Sequence, residues 1–149
     1  MKKNKKIVYV GLSADILHNG HINILKIAKK LGSVIVGLLT DEAIASYKSI
    51  PTLDYSQRAI ILKNLKLVKS VIPQKTLDYR HNLNLVKPDY VVHGDDWKKG
   101  VQAKTRQQVI ATLKKWGGKL IEPKYTKNIS STLIKSKLKN NLEPDSRVS

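Results

Sequence analysis

A chain of 149 residues, 41% of them hydrophobic, fits one domain built around one core. It contains no cysteine, which excludes disulfides and thiolate metal sites, and no apolar run approaches the roughly 20 residues that span a bilayer. Lys and Arg number 28 against 11 Asp and Glu, a net charge of +17 that would suit nucleic acid, but the lysines are scattered and aromatics reach only 5% without a Phe, so the stacking platform of single-strand binders is absent.

Short apolar runs alternate with helical patterns along the chain. Residues 7–12 read as a first strand. The basic stretch before it, Met1 to Lys6, is not followed by an apolar run long enough for a signal peptide, so a cytoplasmic location without a membrane partner is expected. Residues 20–31 carry Ile22, Leu25, Ile27, Ala28 and Leu31 at helical spacing, and Ser33 to Leu39 reads as the second strand. Asp41 to Tyr47 reads as a short helix capped by Thr40 or Asp41 and stopped before Pro51. Tyr55 to Leu65 is a predicted helix with Ile60, Ile61 and Leu65 facing inward. Val68 to Ile72 is a predicted third strand ended by Pro73, and Asn82 to Val86 a single helical turn. Tyr90 to Val92 is the fourth strand, Ala103 to Trp116 a helix, Lys119 to Ile121 the fifth strand, and Ile129 to Leu138 a last helix begun by serines. The expected fold is therefore α/β: a Rossmann-like, doubly wound, five-stranded parallel sheet in a single domain, residues 1–139, with 140–149 a disordered tail. Such a sheet binds ligands at the carboxyl ends of its strands, where His18, Thr40 and His93-Gly94 should meet.

The chemistry concentrates at four places. His18-Asn19-Gly20-His21 puts two imidazoles at i and i+3 on the first turn of a helix, whose free N–H groups already favour phosphate. The loop Gly11-Leu12-Ser13-Ala14-Asp15 before it is small enough for backbone amides to approach a phosphate. Asp15, three residues before His18, would orient that imidazole, help hold magnesium, or cap the turn. Arg58 opens a helix and would reach phosphate or pin a loop through a carboxylate. His93-Gly94-Asp95-Asp96-Trp97 ends strand four, where an aromatic beside carboxylates suits an ammonium group, the alternative being a capped loop over a core tryptophan. Ser130, Ser131 and Thr132 place hydroxyls at a helix start.

The same motifs carry a resemblance. His-x-Gly-His after a first strand resembles the signature of the nucleotidyltransferase superfamily that includes the small cytidylyltransferases, and the likeness runs from residue 7 to 138. Gly-Leu-Leu-Thr-Asp-x-Ala-Ile-Ala-Ser-Tyr-Lys (residues 37–48) and His-Gly-Asp-Asp-Trp (93–97) are most similar to the branch that loads 2-aminoethylphosphonate onto CMP. The resemblance implies that CTP and a small phosphonate or phosphomonoester are the partners, that nucleic acid is not, and that the protein is a homodimer. It implies that His18, His21 and Lys48 do the catalytic work, Lys48 also meeting the acceptor. Leu12, Ser13, Ala14, Gly20, Arg58, Gly94 and Asp95 would line the nucleotide, and Tyr125, Thr126, Ile129, Ser130, Ser131 and Thr132 the β- and γ-phosphates. Tyr125 and Asn128 stand where the family has Arg and Gly, leaving Lys124 and Lys127 as replacement cations. Asp95, Asp96 and Trp97 would hold the acceptor, and Mg2+ would sit near Asp15 or Asp95. Glycerol-3-phosphate, phosphocholine, phosphoethanolamine and hydroxyethylphosphonate are the rival acceptors, and a basic nucleic-acid-binding protein is the rival of another class.

Overall fold

The computed structural model describes residues 5–100, 102–124 and 131–142. Strands β1 (Ile7–Leu12), β2 (Ser33–Leu39), β3 (Ser70–Gln74), β4 (Tyr90–Val92) and β5 (Lys119–Ile121) form one sheet in the order β3-β2-β1-β4-β5. All four pairings are parallel; Val8 of β1, for example, lies between Val34 and Tyr90. Helices α1 (Asn19–Leu31), α2 (Asp41–Ala45), α3 (Tyr55–Lys63), α4 (Arg80–Val86), α5 (Ala103–Lys114) and α6 (Ser131–Leu142) complete the chain, with a 3-10 turn at Asp95–Trp97. The predicted architecture is the observed one.

Alternation along the strands explains the two layers. Val8 and Val10 of β1, with Val34, Val36 and Leu38 of β2, meet Leu25 and Ala28 of α1 and Ala59 and Leu62 of α3. Tyr9 points the other way and joins Leu83, Val91, Trp97, Val109 and Leu113 under α4 and α5. Both faces are covered, so the strands read as continuous apolar runs. A Cβ on Gly37 would sit 1.7 Å from the Tyr9 hydroxyl, so only glycine fits opposite that ring.

Several elements differ from expectation in their ends or in the face they bury. The third strand begins at Ser70 and runs through Pro73, which β3 tolerates because it is an edge strand paired only with β2. On α3, Ile60 and Ile61 are 58% and 42% exposed, while Arg58, Ala59 and Leu62 face the interior. The helix turns on a buried guanidinium, which apolar periodicity cannot register. Helix α6 continues to Leu142, so 140–142 are helical instead of tail; the expected residues 129–130 and 143–149 lie outside the described residues. The short helix after β2 stops at Ala45, with Thr40 as its cap, accepting from the Ala43 N–H at 3.2 Å.

Strands β1 to β3 build toward one edge; the chain then crosses back through α4 to place β4 on the other side of β1. The crevice between the carboxyl ends of β1 and β4 is the topological switch point.

Candidate active site

A cleft of about 400 Å3 opens at that switch point. Leu12 and Ser13 from the end of β1, Gly20 and His21 from α1, Lys48 from the segment after α2 and Thr132 from α6 all line it, as do His18, Gly94 and Asp96. The sequence-derived phosphate residues are thus brought together from five segments. Ala14 is buried beneath the loop with φ 48°, a left-handed conformation a non-glycine residue adopts at some cost, which bends the chain from β1 toward the histidines.

The histidines are more tightly organised than their spacing alone implies. His18 is the N-cap of α1: its Nδ1 accepts from the Gly20 N–H at 3.0 Å, and its own N–H donates to Nδ1 of His21 at 3.2 Å. This is a capping box in which imidazoles replace the usual hydroxyl and carboxylate. Because each Nδ1 accepts, each ring carries its proton on Nε2 and turns an N–H donor away from the helix start. Burial lowers the pKa of both; His21 falls to about 4, helped by the nearby charges of His18 and Lys48. Partial desolvation, with the Lys135 ammonium behind it, lowers the Lys48 pKa as well.

Arg58 does not reach the cleft. Its guanidinium is buried and donates to Leu53 O at 3.0 Å, Ser13 O at 2.7 Å, Leu39 O at 2.8 Å and Asp41 Oδ1 at 2.7 Å. It ties the phosphate loop to the end of β2 instead of binding phosphate. Asp15 is also enclosed. Its Oδ1 accepts from the Thr52 N–H at 2.7 Å and the Leu53 N–H at 3.1 Å, and Oδ2 pairs with the Lys135 ammonium. Burial pushes the Asp15 pKa up, but Lys135 and the two backbone N–H groups outweigh it and hold the carboxyl below its ordinary value. Those bonds account for the carboxylate, so its expected service to His18 or to magnesium gives way to joining segments.

Trp97 is corrected from ligand surface to core. It is 2% exposed; His93 stacks on one face at 3.6 Å and 5°, and Nε1 donates to Glu122 Oε2 at 2.8 Å. Arg106 grips the same carboxylate through Nε at 2.8 Å and Nη2 at 2.9 Å, and with Trp97 it holds the Glu122 pKa down. Asp95 donates its N–H to Pro123 O at 3.1 Å within the 3-10 turn and is not among the residues that border the cleft. Asp96 is the one carboxylate lining the cleft among the described residues. No group of three or more His, Asp or Glu among the described residues could hold a metal ion. Among the described residues this donor set does not build a magnesium cage of side chains. Tyr125, Thr126, Ile129 and Ser130 lie outside the described residues, and Ser131 is described only as the first residue of α6.

Several lining residues carried no assigned role in the sequence. His93 donates from Nδ1 to Gly94 O at 2.7 Å, the opposite tautomer to His18 and His21, and burial lowers its pKa. Gln74 closes β3, where its Oε1 accepts from the Tyr9 hydroxyl, while Asn82 donates to that hydroxyl at 3.0 Å. Tyr47, Tyr79, Gln102 and Thr105 also line the walls. Their one sequence signal was position: His93 and Gln74 stand at the carboxyl ends of strands.

Neutral N–H donors at a helix start, hydroxyls and one ammonium around a switch-point crevice suit an anionic, phosphate-bearing ligand. Comparison with known proteins narrows that class. The chain belongs to the Cytidylyltransferase-like family, whose profile matches residues 9–137. It is 38% identical over 96 residues to glycerol-3-phosphate cytidylyltransferase of Bacillus spizizenii, covering 63% of this chain and 74% of that protein. It is 32% identical over 144 residues to ethanolamine-phosphate cytidylyltransferase of Arabidopsis thaliana, covering 90% of this chain and 32% of that one. The chain spans 24% of the bifunctional protein HldE of Methylobacillus flagellatus, to which it is 31% identical over 123 residues, 79% of this chain. Among solved structures, the lipopolysaccharide core biosynthesis protein of Thermoplasma volcanium superposes with a TM-score of 0.68 at 28% identity, over 85% of this chain and all of that one. No helix among the described residues is long and apolar enough to cross a membrane.

Proposed function

We propose that the protein transfers CMP from CTP, delivered as its magnesium complex, to a small phosphonate, 2-aminoethylphosphonate first among them, releasing pyrophosphate. The observation that carries this reading is the paired Nε2–H donors of His18 and His21 at the helix start, in one cleft with Lys48 and Thr132. An acceptor oxygen attacks the α-phosphorus in line, a new P–O bond forms, and the bond to the pyrophosphate oxygen breaks. The acceptor oxygen is already anionic, so no general base is required. Catalysis then rests on positioning and on charge stabilisation by His18, His21 and Lys48. Imidazoles held neutral donate hydrogen bonds to the phosphate without paying to bury a cation.

The aminated acceptor draws its support from the resemblance and from Asp96, whose carboxylate is 53% exposed at the cleft. Trp97 is too enclosed to offer its face to an ammonium. The test is pyrophosphate release from CTP and Mg2+ with 2-aminoethylphosphonate, hydroxyethylphosphonate, glycerol-3-phosphate, phosphocholine and phosphoethanolamine. The aminoethyl compound is expected to give the highest kcat/KM, and Asp96→Asn to raise KM for it while leaving hydroxyethylphosphonate unchanged. A higher kcat/KM for glycerol-3-phosphate overturns the acceptor assignment; no release with any acceptor overturns the transfer reading itself. A homodimer, expected from the resemblance, is tested by light scattering of the full chain.

A further inference from the structure

Asp15 is joined to two walls of the cleft at once. Its Oδ1 holds the backbone N–H groups of Thr52 and Leu53, four and five residues after Lys48, and its Oδ2 holds Lys135, three residues after Thr132. On helix α6, Leu133 and Leu138 are 47% and 51% exposed, while Lys135 turns inward to Asp15. We propose that Lys135 is a positioning residue, its ion pair with Asp15 forming a clasp that sets Thr132 on α6 and the segment carrying Lys48 at a fixed spacing across the cleft. The proposal rests on reading the cleft as a triphosphate site.

The energetics favour a clasp over a direct phosphate contact. The Asp15 side chain is 1% exposed and that of Lys135 31%. If Lys135 left to follow an incoming phosphate, an enclosed carboxylate would lose the one cationic partner it has among the described residues, and breaking a buried pair from one side is strongly destabilising. The pair is therefore retained when the nucleotide binds. Its ammonium adds positive field at Lys48 from behind the wall without touching the ligand.

The experiment compares the full chain with K135M, K135R, D15N and the D15N/K135M double variant. Amide hydrogen exchange at Thr52 and Leu53 is read without nucleotide, and KM for CTP and kcat are read with the preferred acceptor. K135M is expected to speed exchange at both amides and to raise KM for CTP about tenfold, the usual scale for a residue that orients a ligand-contacting group, with kcat changed far less. K135R is expected to restore both readouts. In the D15N background K135M should add nothing. Unchanged exchange in K135M overturns the clasp whatever the cleft binds. Multiplying effects in the double variant make Lys135 a direct ligand and overturn it too. Should K135M fail to fold, K135Q supplies the same comparison. If exchange responds as expected while CTP is never turned over, the proposed function fails and the clasp stands.

Discussion

The rings of His18 and His21 lie 4.0 Å apart, tilted by 38°, and each surrenders its Nδ1 lone pair to a backbone N–H at the start of α1. One arrangement therefore caps a helix, fixes two tautomers and aims two donors. Capping and chemistry can be separated experimentally. His18→Asn keeps a side-chain acceptor at the N-cap, so its Tm should stay close to the parent's, while Ala would cost about 1 kcal/mol of helix capping. Both His18→Asn and His21→Ala are expected to lower kcat for pyrophosphate release by about 100-fold or more, since each removes one preorganised donor. A parental rate in either removes that ring from the catalytic role.

The protonation of these rings sets a pH dependence. Folding holds His21 near 4, against an ordinary 6.5, and holds His18 below its ordinary value too. Between these limits the unfolded chain binds more protons than the folded one. Stability is thus full above about pH 6.5 and falls as pH drops toward 4, by about 3 kcal/mol for His21. Urea unfolding at pH 7, 5.5 and 4.5 checks this, and the slope should shrink in His21→Leu. At pH 7 the 15N shifts of both imidazoles should report neutral Nε2–H tautomers.

Arg58 is expected to behave as structure. Arg58→Met leaves three carbonyls and Asp41 without their donor, which should lower stability by about 3–5 kcal/mol. Arg58→Lys should recover little of it, because one ammonium cannot span four acceptors in a planar fork. The urea midpoint decides; near-parental stability with a raised KM for CTP would return Arg58 to the phosphate site.

Trp97→Phe keeps the ring against His93 and Tyr79 but removes one of the two donors to Glu122 Oε2, leaving Arg106 Nε as the other. A loss of about 1–2 kcal/mol is expected. The ratio of kcat/KM for aminated over hydroxylated acceptors should not change, and a collapse of that ratio would put an ammonium on the indole.

The strands were legible because each is an uninterrupted apolar run between turn residues, and a sheet covered on both faces demands that pattern. The histidine pair was legible because helical spacing and a strand end are both local. What escaped is long-range. Arg58 and Asp15 look like site residues in sequence because they sit beside site segments; that their charges are spent on Ser13, Leu39, Thr52 and Leu53 depends on contacts 19 to 45 residues away. Trp97 beside two carboxylates invites an ammonium, yet its actual partner, Glu122, lies 25 residues on. His93 needed its tautomer, which only the Gly94 carbonyl reveals.

Tyr9 reaches across to β2 with its hydroxyl lodged where a side chain at position 37 would stand, and Gln74 and Asn82 receive it there. The two positions are consequently bound to change together. A methyl group at 37 requires a shorter residue at 9, and that shortening would orphan the amides that wait for the phenol. Anyone repacking the interior behind Gln74 must treat residues 9, 37, 74 and 82 as a single design variable.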